Sequence, residues 1–300
     1  MKESVKHKRI TLVFAPTIAQ VAAMEIDAGG VVAMRNWLKK YRPDCLPPET
    51  DGALLGLLPH NGDDFNLDSG PGQARRLSDN ELLVELAGRK CYNSFGLAAG
   101  RKSNREYIAN TQQGDIPHAS IMYHAKMSFF IAGVSRRVSH ELIRNYVGAD
   151  RDEEGSPSQE STRFTHHPGH FIVHPSDIEL GDQAVEKFGD DMDTNYGNYL
   201  AYIDQQFDRI KRETGAEPKG LARKRVYEAA SARLSHGCET SWIWTTNPIA
   251  LAKLIHEREN GAADKEITRL AKAWRELVTA KWPNLFLQPW MVNGPSAEYA

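Results

Sequence analysis

The sequence predicts an α+β fold organised as a single domain over residues 1–300. Three observations lead there. Short runs of β-branched and aromatic residues stand near both ends, at 10–14 and 238–246, while long stretches of helical periodicity cover 184–213 and 264–281. No internal repeat, low-complexity tract or linker divides the chain. With 300 residues, 41% of them apolar, it can bury a sizeable core.

The elements follow in order. Residues 10–14 (Ile-Thr-Leu-Val-Phe) read as a strand, and helices are expected over 18–27 and 31–41. From 42 to about 76 the chain is rich in Pro, Gly and Asp and reads as a long surface excursion. Ser78 followed by Asp79 and Glu81 has the character of a helix start, and Leu82, Leu83, Val84 and Leu86 carry that helix to about Tyr92. A more polar helix spans 103–113. Residues 127–134 form a buried strand or a buried turn of helix, which periodicity does not separate. Ser135 is placed to cap the next helix, on which Val138, Leu142 and Tyr146 fall four apart. Arg137, His140, Glu141 and Arg144 make a second, polar stripe on it. A charged loop at 149–155 follows, then a turn and a short strand at 171–174. Helices are expected at 184–213 and 219–234, and a strand with Trp242 and Trp244 at 238–246. Asn247 as cap and Pro248 at the first position open a helix to about Glu259. The last helix, 264–281, ends before Pro283.

Composition narrows the function. A formal net charge of −2 gives no footprint for a nucleic acid polymer, so a nucleic-acid-like ligand is expected to be a small nucleotide. No apolar run is long enough to span a membrane, and the basic N-terminus lacks a signal core, so the expectation is cytoplasmic. Cys45, Cys91 and Cys238 are far apart and form no CxxC pair, which argues against a disulfide framework or a structural zinc. His166, His167, His170 and His174 lack a matching carboxylate or cysteine pattern. A polar loop is the better reading, and no metal is expected.

The chemistry concentrates in Ser156-Pro157-Ser158-Gln159-Glu160-Ser161-Thr162-Arg163-Phe164 and the helix before it. Hydroxyls give short directional hydrogen bonds and Arg gives a permanently charged, bidentate clamp, so Ser158, Ser161 and Arg163 suit a phosphate. The common glycine-rich phosphate cradles are missing. Arg258 sits off the apolar face of its helix. It reads as a surface arginine or as a cation for an ionised uracil ring.

These pieces together resemble the flavin-dependent thymidylate synthase family, also called thymidylate synthase complementing proteins. The matching residues run in order: 87–92 and 101–107; His118-Ala119-Ser120 with His124-Ala125; Gly133-Val134-Ser135-Arg136 with His140-Glu141-Leu142-Ile143-Arg144; Ser158-Gln159, Ser161 and Arg163-Phe164; then Glu239-Thr240, Asn247, Arg258, and Ala263-Asp264 with Glu266-Ile267. The resemblance implies a central, mostly antiparallel sheet flanked by long helices. It also implies reductive C5 methylation of dUMP, with bound FAD, NADPH as reductant, methylenetetrahydrofolate as carbon donor, and a homotetramer with shared sites. On that resemblance Glu141, Leu142, Ile143, Arg144, Gln159, Ser161, Thr162, Arg163 and Arg233 would hold the nucleotide. Arg258 would activate the ring, and His118, Ser120, Arg144, Asn145, Tyr146, Gln159 and Asn247 would contact the flavin. Neither Cys91 nor Cys238 stands where a classical thymidylate synthase keeps its nucleophile. In this family flavin chemistry replaces it.

The pattern also breaks. The family signature is Arg-His-Arg, seven residues, then Ser; here Arg144-Asn145-Tyr146 is followed by fourteen residues before Ser161. The insertion is mostly 149–155, with four acids and one Arg. Ser231 and Ile249 stand where the family has arginines, and Ala262 where it has a histidine. Two readings follow: an enzyme that accepts a different uridylate, such as UMP, as paralogues in nucleoside-antibiotic pathways do, or a non-catalytic protein that binds flavin or nucleotide. Retention of Glu141, Arg144, Gln159, Ser161, Arg163 and Arg258 favours the first, because buried charges are costly unless used or paired.

Overall fold

The structure, a computed structural model, describes residues 3–46, 57–58, 77–95, 102–112, 118–146 and 156–288. Within them two sheets, one mixed and one antiparallel, are flanked by helices. The smaller sheet contains β1 (Ser4–His7), β2 (Ile10–Val13) and β6 (His170–Ile172) in the order β1-β2-β6. Its β1–β2 hairpin turns at Lys8, which takes a positive φ of 49°, and β2 pairs with β6 in parallel. The larger sheet is antiparallel throughout, ordered β3-β4-β7-β5, from β3 (Thr17–Ala23), β4 (Met127–Ser135), β5 (Ser156–Gln159) and β7 (Glu239–Thr246). A bridge between Phe171 and Cys238 joins the two sheets.

β4 settles the choice that periodicity left open for 127–134. Its residues alternate, with Met127, Phe129 and Ile131 fully buried, and both of its edges find strand partners. The helix expected at 18–27 is not formed. Thr17–Ala23 is instead an edge strand on β4, with Ile18 packed on the core, and α1 (Ala28–Tyr41) starts only after Asp27, whose carboxylate accepts from the Gly30 amide at 2.9 Å. Alanines gave the stretch helical propensity, but an open edge of β4 supplied hydrogen-bond partners and decided the outcome.

The other helices lie close to their expected spans. They are α2 (Asp79–Tyr92), α3 (Asn104–Gln112), α4 (Arg136–Tyr146), α6 (Asp182–Thr214), α7 (Gly220–Ser231), α8 (Pro248–Arg258) and α9 (Lys265–Lys281). Ser78 and Glu81 form a full capping box on α2, and Asn247 caps α8 by accepting from the amides of Ile249 and Ala250. The short α5 (Pro175–Leu180) was not anticipated; His174 caps it through Nδ1, which accepts from the Ser176 amide. Most of the segment read as a surface excursion lies outside the described residues. Leu57 and Leu58 within it are buried, packed with Val31, Leu38, Leu82 and Phe95.

One junction aims the functional helix. Between β4 and β7 the register shifts at Ile131–Val134, and there Gly133 takes a φ of 68°. A Cβ at this position would stand 2.7 Å from the Ala15 carbonyl oxygen, so only glycine fits. The Gly133 amide donates to Glu239 Oε1 at 2.9 Å. Two residues on, Ser135 is held by the buried Glu266, which accepts from its amide and its hydroxyl, each at 2.8 Å. Ser135 Oγ in turn accepts from the Val138 amide at 3.2 Å and so starts α4. Glu266→Ala is expected to lower stability by about 2–4 kcal/mol, because it strands buried donors. Urea denaturation reads this, and a loss below about 0.5 kcal/mol would show that the clamp contributes little.

Candidate functional site

α4 presents two faces. Val138 and Leu142 are fully buried in the main core, so the side chain of Leu142 belongs to packing. The opposite side borders a cleft of about 350 Å³. α4 contributes Arg136, Ser139, His140 and Ile143, while the end of β5 contributes Gln159 and the segment after it Thr162. The end of α7 and the turn into β7 close it with Ser231, Leu234, Ser235, His236 and Cys238.

Hydrogen bonds fix the cleft's polar groups. Gln159 Nε2 donates to Ser139 Oγ at 2.8 Å and to Thr240 Oγ1 at 3.0 Å, which leaves its carbonyl oxygen for a ligand. Arg136 Nη2 donates to the Glu160 carbonyl at 2.9 Å, while its buried Nε has no partner among the described residues. Ser161 Oγ accepts from the Arg163 amide at 3.4 Å, and the Arg163 guanidinium lies exposed near the Phe164 ring. Cys238 is buried and burial pushes its thiol up to about 11, so it offers no thiolate at neutral pH.

On α4, Glu141 pairs with Arg258 of α8 at 2.9 Å, both half-buried, and neither residue lines this cleft. The two residues are far apart in sequence, and the pair puts the expected ring-activating cation on the expected nucleotide helix. Arg233 points elsewhere: its guanidinium stacks 3.6 Å over the Tyr202 ring. His118 bonds the Tyr92 hydroxyl at 2.8 Å, and Ser120 lies in the 3-10 turn Ala119–His124. Asn247 is buried, its Oδ1 spent on the α8 cap and its Nδ2 without a partner among the described residues. Arg144, Asn145 and Tyr146 fall in the last turn of α4, but their side chains, like loop 149–155, lie outside the described residues. Among the described residues, this cleft brings together Ile143, Gln159 and Thr162 of the expected set. Sequence reading passed over Arg136, Ser139, His236 and Cys238 as site residues; for Arg136 the signal was its place one residue after the Ser135 cap.

The histidines downstream hold the loop in place. His167 is buried, with Nδ1 accepting from the Gly169 amide at 3.1 Å and Nε2 facing the Glu239 carbonyl at 3.3 Å. Its backbone is gripped by the hydroxyls of Tyr196 and Tyr199 on α6. His174 pairs with Asp264, which also receives Arg137. Among the described residues no three His, Cys, Asp or Glu side chains gather to hold a metal, and no helix is long and apolar enough to cross a membrane.

The model of the thymidylate synthase complementing protein family matches residues 75–284, which takes in α2 through α9. The chain belongs to that family. A flavin-dependent thymidylate synthase of Mycolicibacterium vanbaalenii is 34% identical over 206 residues, 68% of this chain and 77% of the relative. One from Corynebacterium aurimucosum is 31% identical over 228 residues, 75% of this chain and 84% of the relative. In fold the chain is similar to the UMP/dUMP methylase PolB from Streptomyces cacaoi, solved with 5-Br UMP, with a TM-score of 0.54 at 16% identity over 92% of this chain and 95% of that one. The chain is thus an enzyme of a flavin-dependent family. Its residues fit such a cofactor at one checkable point: the buried Asn247 amide keeps an unspent donor, as a polar ring system with acceptor atoms requires.

His167 sets a pH dependence. Burial drops its pKa from the ordinary value to about 4, so the folded state binds it neutral while the unfolded chain protonates it near 6.5. Between those values the unfolded state carries more protons, and stability falls as pH drops. The wild type is expected to lose about 2–3 kcal/mol between pH 7 and pH 4.5 through this group. Urea melts at both pH values should show a shallower dependence for His167→Gln, and equal slopes would remove His167 from the account.

Proposed function

We propose that this enzyme catalyses flavin-dependent reductive C5 methylation of a uridylate nucleotide, dUMP or UMP. Methylenetetrahydrofolate donates the carbon and NADPH the reducing equivalents. The observation that carries the reading is the cleft where the polar side of α4 meets the Gln159–Thr162 segment, on the same helix whose Glu141 pairs with Arg258. A bound reduced flavin supplies the hydride that makes a thiol nucleophile unnecessary. That fits a cleft whose only lining cysteine is a buried, high-pKa thiol.

The chain's own residues take the remaining roles. Arg163 and Ser161 bind the phosphate, with Arg136 as a further cation in the cleft; Arg supplies the charge and the bidentate geometry, Ser a short directional bond. Gln159, oriented by Ser139 and Thr240, accepts a hydrogen bond from the nucleotide. Arg258, held in place by Glu141, faces negative charge developing on the pyrimidine ring. His118, Ser120 and Asn247 contact the cofactor. A homotetramer with sites shared between subunits is part of this proposal.

The deciding experiment offers UMP and dUMP side by side to purified protein with FAD, NADPH and methylenetetrahydrofolate. Methylated product from either is expected; flavin binding without product from both would overturn the reading in favour of a non-catalytic flavoprotein. Arg163→Ala should weaken nucleotide binding by about 100-fold, the scale of a lost charge-assisted pair, and unchanged affinity in a binding titration would remove Arg163 from the site.

A further inference from the structure

A second cleft, of about 580 Å³, shares no lining residue with the first. α9 forms one wall with Lys265, Thr268, Arg269 and Lys272, spaced three and four apart along one side. The link between β2 and β3, Ala15 and Pro16, and the start of α5 at Pro175 form the others. Its size suits a small organic molecule rather than a single ion.

Arg269 is the unexplained group. Its Nη1 donates to the Phe14 carbonyl, while Nε and Nη2 are buried without a partner among the described residues. The acid whose charge acts on it is Glu266, whose two oxygens are already committed to Ser135. Burial pulls its pKa down, as for a cation that has lost water and gained no full counter-charge. Such a group is costly to keep, and an incoming anion relieves that cost. The lining charges set which anion. Lys265, Arg269 and Lys272 oppose Glu179 and Glu276, leaving one net positive charge, and Lys265 is already paired with Glu179. A monoanion balances this; a phosphate dianion overshoots and meets Glu276. The Ala15, Pro16, Pro175 and Ala273 surfaces offer an apolar body somewhere to pack.

We propose that this cleft is a second ligand site, which binds a small organic carboxylate with an apolar body. Arg269 and Lys272 take the carboxylate, and Pro16 and Pro175 cover the body. The site is independent of the nucleotide cleft and of the reaction proposed above.

Calorimetric titration tests this with benzoate as probe, benzamide as its neutral isostere, and inorganic phosphate as the alternative oxyanion. Benzoate is expected to bind the wild type at least about tenfold more tightly than benzamide, the scale of a charge-assisted hydrogen bond, and more tightly than phosphate. Lys272→Gln, an exposed position that should not disturb folding, is expected to weaken benzoate by roughly fivefold. Arg269→Lys, checked for folding by its melting curve, should weaken it further, and Arg163→Ala should leave it unchanged. No benzoate binding, equal binding of benzamide, tighter binding of phosphate, indifference to Lys272→Gln, or loss in Arg163→Ala would each overturn the proposal.

Discussion

The buried carboxylate of Glu266 is the constraint on which the functional half of the molecule depends. A strand that becomes a helix without a loop must satisfy the last strand donors and the first helix donors at the same place. Here β4 ends at Ser135 and α4 begins at Arg136, with no residue between them. Glu266 takes both donors of Ser135, which frees its hydroxyl oxygen to cap α4. One turn earlier Glu239 takes the amide that the bulge at Gly133 turns out of the ladder. Two acids from distant parts of the chain thus fix the exit angle of α4. With it they fix every cleft residue α4 carries. Asp264, which caps α9 and also receives Arg137 and His174, ties the same corner from outside.

This explains why several residues that match the family pattern line neither of the two clefts. Glu239, Asp264 and Glu266 hold the scaffold, and Gly88 exists because the Tyr107 hydroxyl would stand 2.6 Å from any Cβ there. Around Gly88 a second buried polar cluster joins Glu85, Arg89 and Asn104, with Arg89 stacked 4.5 Å over Tyr107. Removing one member of such a network leaves the others unpaired, so it specifies one packing more than it adds stability.

What was legible in the sequence followed from local physics. Caps at Ser78 and Asn247 and the apolar stripes behind them gave the helices within a few residues. What was not legible depended on partners distant in the chain. Thr17–Ala23 has helix-like composition and becomes a strand because β4 offers an edge. Leu57 and Leu58 are buried although their surroundings are rich in turn formers. At the site, the residue types pointed to phosphate and pyrimidine, and the structure joined Glu141 to Arg258 across two helices. The role of Ser139 in orienting Gln159 had no signal in sequence, since a serine in a helix is unremarkable until its hydroxyl meets the amide.

The distribution of charge carries the last step. The chain is close to neutral, with a formal charge of −2, yet each of the two clefts described above keeps a cation with buried N–H groups that have no partner among the described residues. Three acids at the junction of β4 and α4 are spent on structure: Glu239 on the bulge, Glu266 on Ser135, Asp264 on a helix cap. Those carboxylates accept backbone donors, which fixes their negative charge in place. Arg136 and Arg269 therefore remain available to anions, although the sequence as a whole is slightly acidic. Positive potential at a site need not come from an excess of basic residues. It can come from where the acids are held, which net charge does not reveal.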